Sequence, residues 1–77
     1  MTTTLFVVTV AESPNAAAAS LDAAKAHAVA HETRYSSPEL RWDEYRPGVW
    51  RLMSRYDGFR RFSWSQVAVH AVPEVTA

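Results

Sequence analysis

Residues 39–72 read ELRWDEYRPGVWRLMSRYDGFRRFSWSQVAVHAV, and how this stretch divides decides the fold. Bulky residues recur with period two in three runs, Glu39 to Arg46, Val49 to Tyr56 and Phe59 to about Val72, parted by Pro47-Gly48 and Asp57-Gly58. Period two sends alternate side chains to opposite faces of a strand, and Asp-Gly between aromatic-rich runs is a strong hairpin signal. The reading is therefore three antiparallel strands, closed by Pro73, with residues 73–77 as a frayed tail.

Register turns these strands into two unlike faces. A two-residue turn at Asp57-Gly58 sets Tyr56 against Phe59, Arg55 against Arg60, Met53 against Phe62 and Arg51 against Trp64. A three-residue loop, Pro47-Gly48-Val49, puts Leu40 and Trp42 beside Trp50, Leu52, Tyr56 and Phe59, with Val67 and Val69 on the same side as the core. A two-residue Pro-Gly turn would instead swing Asp43 into the core against Leu52, a costly burial without a partner. The other face then carries Arg41, Asp43, Tyr45, Arg51, Met53, Arg55, Arg60, Phe62 and Trp64, four arginines to one acid.

Upstream, Thr3 to Ala11 is apolar on nearly both sides, as a central or covered strand is. Ser13-Pro14 reads as a helix start, and residues 14–34 are alanine-rich with no glycine or proline after Pro14. Ala17, Leu21, Ala24, Ala28 and Tyr35 share one stripe, with Val29 at its margin, and this stripe would lie on a sheet. Ala19, Ala23, Ala26 and Ala30 form a second stripe, read as facing solvent. The expected fold is a single α+β domain over residues 1–77: one long helix on a mostly antiparallel four-stranded sheet, in the order β-α-β-β-β.

Composition narrows the function classes. The chain has 77 residues, 48% of them hydrophobic, and its eight basic and eight acidic side chains cancel. A chain of this size buries only about 60% of its unfolded surface and gains from a partner. Without cysteine there are no disulfides, thiolate metal sites or thiol nucleophiles. No stretch reaches the ~20 apolar residues of a membrane span, and the run Leu5 to Ala11 lacks a preceding basic region, so the expectation is a cytoplasmic protein off the membrane. His27 and His31 stand four apart, with His70 a conceivable third ligand, but no carboxylate completes a site. No metal and no cofactor are expected. Seryl, histidyl and carboxylate groups are scattered without a nucleophile–base spacing, and the nearest acid–base set is His31, Glu32 and Tyr35 beside Trp42.

Charge is nevertheless segregated, with six arginines between Arg41 and Arg61 against Asp43, Glu44 and Asp57. The resulting expectation is a non-enzymatic binding or adaptor module. It would use Tyr45, Arg51, Met53, Arg55, Arg60, Phe62 and Trp64 for protein contact, as a homodimer or as an accessory to a larger protein. Nucleic-acid binding through the same face is the alternative, and a pocket enzyme formed on dimerisation is the third reading. The run Pro47-Gly48-Val49-Trp50-Arg51 followed by Arg55-Tyr56-Asp57-Gly58-Phe59-Arg60-Arg61 resembles the three-stranded arm-binding modules of phage-type integrases. That resemblance implies nucleic acid as the partner. It covers only residues 47–61, and those modules place their helix after the strands, whereas here it precedes them.

Overall fold

A computed structural model describes residues 4–73, in which β1 (Thr4–Val10), β2 (Ser13–Ala18), α1 (Leu21–Glu32), β3 (Glu39–Arg46), β4 (Val49–Arg55) and β5 (Ser63–Pro73) follow one another. The strand start expected at Thr3 and the tail expected beyond Pro73 lie outside the described residues. All strand pairings are antiparallel, in the order β2-β1-β5-β4-β3, and the helix packs across β2, β1 and β5 on one face. The chain is thus an α+β domain with one helix on an antiparallel sheet. It has five strands rather than four, and runs β-β-α-β-β-β.

The extra strand comes from the segment expected to open the helix. Ser13–Ala18 pairs with β1, Phe6 facing Ala18 and Val8 facing Ala16. The link is a two-residue turn in which Ala11 (φ 50°) and Glu12 (φ 71°) both sit left-handed, as a type I′ hairpin turn requires. The helix begins instead at Ser20, whose extended backbone (φ −131°, ψ 151°) and Oγ accepting from the Ala23 amide at 3.1 Å make it the N-cap. It ends at Thr33, whose amide and Oγ1 both donate to the Val29 carbonyl. Leu21, Ala24, Ala28 and Val29 face the sheet; Ala17 belongs to β2, and Tyr35 lies beyond the helix, 90% exposed. Ala24 and Ala28 are wholly buried, so the absence of larger side chains there sets how closely the helix approaches β1 and β5.

Val8, Leu52, Val67 and Val69 are wholly buried beneath the helix, each worth about 1.5–3 kcal/mol of burial. Phe6, Val10, Leu40, Trp42 and Trp50 pack around them, with the Phe6 and Trp50 rings 6.3 Å apart and tilted. Leu40, Trp42, Trp50 and Leu52 therefore share the core side, but by a different device from the expected loop. Arg46 pairs with Val49 across a two-residue Pro47-Gly48 turn, with Gly48 at φ 82°. An extra residue, Tyr45, is bulged out between Glu44 and Arg46. The bulge restores the parity that the short turn would have inverted, so Trp42 faces Leu52 and Asp43 faces Arg51.

The Asp57-Gly58 turn also differs from expectation. Phe59 donates its amide to the Tyr56 carbonyl at 3.1 Å, but pairing resumes only at Ser54 and Ser63. Tyr56 (42% exposed) and Phe59 (71%) lie in this connection rather than in the core. Continuous pairing would set Arg55 opposite Arg60, two like charges; peeling the strands apart avoids this. A second irregularity follows, where Met53 faces Trp64 but Leu52 faces Val67, leaving Ser65 and Gln66 (φ 74°) looped out of β5. Ser65 Oγ donates to the Leu52 carbonyl at 2.6 Å and accepts from the Val67 amide at 3.3 Å, while the Gln66 carbonyl accepts from the Ala11 amide. These bonds satisfy the backbone that the bulge frees.

Candidate functional site

The sheet face away from the helix has no second layer over it among the described residues. Across β3, β4, Phe62 and the start of β5 it is built of guanidinium groups laid on rings. Arg51 lies between two aromatics, its guanidinium carbon 3.7 Å from the Tyr45 ring centroid and 4.3 Å from that of Trp64. Phe62 takes Arg41 at 4.6 Å and Arg55 at 4.7 Å. Such stacks hide apolar ring surface while leaving each charged edge wet. Trp64 is locked in place by its indole N–H, which donates to the Val67 carbonyl at 3.0 Å, and Met53 stands half-buried opposite it.

Six of the residues picked out by sequence, Tyr45, Arg51, Met53, Arg55, Phe62 and Trp64, meet on this face. Arg60 does not join them: it is exposed in the 56–62 connection, where its carbonyl accepts from Arg55 at 3.4 Å. Tyr45 reaches the face from its bulge, which is why it can turn over Arg51.

The electrostatics are more balanced than four arginines to one acid. Arg41 pairs with Asp43 at 3.1 Å, and Arg55 pairs with Glu39, which shares the face through its register with Arg55. Glu39 was legible, since it continues the Arg41 and Asp43 alternation.

A groove of about 420 Å³ adjoins the stacks, lined by Val7 and Thr9 from β1, Val49 from β4, and Ala68, His70 and Val72 from β5, with Arg46 and Glu12 at its margins. No local signal announces it, because it depends on pairing β1 with the end of β5, more than sixty positions away at Leu5 and Val72.

Other constellations come apart. His70 lies in this groove, whereas His27 is on the helix with Nε2 2.8 Å from Asn15 Oδ1. Among the described residues no three His, Asp or Glu side chains gather as a metal cage. His31 lines a hollow with Asn15 and Arg34; Glu32 accepts from the Tyr56 hydroxyl at 3.0 Å on another side; Tyr35 projects into solvent. No described helix is long and apolar enough to cross a membrane. Comparison of the chain with family models, curated proteins and solved structures finds no match.

Proposed function

We propose that this chain is a non-enzymatic, cytoplasmic binding module that takes a protein partner, a second copy or a larger protein it serves, on the open sheet face. The observation that carries this is the joint placement of Tyr45, Arg51, Met53, Phe62 and Trp64 on a face that, among the described residues, no helix covers. Tryptophan, tyrosine, methionine and arginine are the types enriched at the centres of protein interfaces. The arginines also favour protein over nucleic acid. Arg41 and Arg55 already answer carboxylates, so the face carries fewer unpaired guanidinium groups for phosphate than four arginines to one acid would give.

The test is an affinity series on partners captured with the wild-type chain. Trp64→Ala should cost about 2 kcal/mol or more of binding, while Arg60→Ala, outside the cluster, should cost less than ~0.5 kcal/mol. The reverse order rejects the reading. Binding to a single-stranded oligonucleotide that falls steeply with salt would replace it by the nucleic-acid alternative.

A further inference from the structure

The outer edge of β3 is a second surface, distinct from the open face. Among the described residues no strand lies beyond β3, so its outward backbone groups have no sheet neighbour. The opposite edge, β2, contains Pro14, which lacks an amide donor, while Glu39–Arg46 contains no proline or glycine. On the helix side of β3, Leu40 and Trp42 are only half-buried, because α1 lies over β2, β1 and β5. The Lys25 ammonium, 5.2 Å from the Trp42 ring centroid, is what α1 extends toward it.

The charges along this edge are arranged for one particular neighbour. Glu39, Arg41 and Asp43 alternate in sign along the open side. Laying a second β3 antiparallel with the two-fold axis at Trp42 sets Arg41 opposite Asp43 of the second copy, and Asp43 opposite its Arg41. Trp42 then meets its own counterpart, and Glu39 meets an uncharged Tyr45. Centring one residue earlier opposes Arg41 to Arg41 and Glu39 to Asp43; one residue later opposes Asp43 to Asp43. Like charges directly across a sheet are destabilising and opposite ones stabilising, so of these three registers only the one at Trp42 is complementary; centring on Leu40 also opposes Glu39 to Arg41 but pairs only residues 39–41 of the strand. The existing Arg41–Asp43 contact would become half of a four-charge network. The Tyr45 bulge bends the strand and limits the pairing to Glu39–Tyr45.

We infer that the chain forms a two-fold dimer through the β3 edge, in register about Trp42, giving one continuous ten-stranded sheet. This does not rest on the open-face reading, and Trp64→Ala should leave the dimer intact.

Light scattering on the purified chain should give a dimer mass, and Arg41→Asp and Asp43→Arg should each weaken association by roughly tenfold or more. An equimolar mixture of the two variants should regain a dimer containing one of each, seen by native mass spectrometry, because the reversed charges then complement one another across the axis. Loss of the contact within one chain could not be repaired by mixing. Should either variant fail to fold, Trp42→Cys in the otherwise cysteine-free chain decides the matter. Directly opposed antiparallel residues lie about 4.5–5.5 Å apart, within disulfide reach, so oxidation should give a covalent dimer at position 42 and not with Glu44→Cys. A wild-type chain that stays monomeric near millimolar concentration, a mixture that stays monomeric, or equal cross-linking at both positions overturns the proposal.

Discussion

The two faces of β4 and β5 are made from the same strands yet are held by different physics. Toward the helix, Leu52, Val67 and Val69 are wholly buried aliphatics whose stabilisation scales with area removed from water. Toward solvent, Arg51, Arg55, Phe62 and Trp64 cover one another, and the charged edges stay wet. An aliphatic layer cannot be parted without exposing what lies beneath. A guanidinium lid can move aside for another ring or carboxylate at small cost, so a sheet with one face of each kind keeps its fold and its contact surface separate.

Leu52→Ala should break that separation most severely, losing about 2–5 kcal/mol of stability in urea denaturation, because it opens a cavity under the helix. Its immediate neighbour on the other face supplies the contrast. Arg51→Ala removes two ring stacks at a half-buried site and should cost about 1 kcal/mol by the same measurement. A loss for Arg51→Ala as large as that for Leu52→Ala would mean the open face is structural, not a surface held ready. The smallest effect belongs to the Arg55 and Glu39 pair, whose double-mutant cycle should give about 0.2–1 kcal/mol, falling with salt.

That Leu40, Trp42, Trp50 and Leu52 face the core was legible because alternation survives any shift of register by two, whereas Tyr56, expected beside them, falls past the end of β4. Leu52 meets Val67 instead of Ser63, yet both remain on the helix side. The Tyr45 bulge was not legible: nothing in Glu44-Tyr45-Arg46 marks an extra residue, and it is selected by the cost of burying Asp43. The largest error, Ser13–Ala18, is a case of tertiary pairing overriding helix propensity. Alanine is the best helix former, but β1 offered a bare edge, and the turn that brings the segment to it uses Ala11-Glu12 in a geometry usually announced by Asn-Gly. Of the candidate site, the stacked residues followed from alternation, while Arg60 was misplaced because the Asp57-Gly58 turn closes a wider loop than its signature implies.

Among the described residues only one strand, β5, is bonded both to β1 and to β4. The β3–β4 hairpin is therefore sutured to the rest of the sheet along a single seam, while α1 bridges β2, β1 and β5 on the far side of it. Amide deuteration should accordingly arrive in two tiers, with β3 and β4 exchanging through an opening that leaves the β1–β5–α1 unit intact, and that unit exchanging only when the whole chain comes undone.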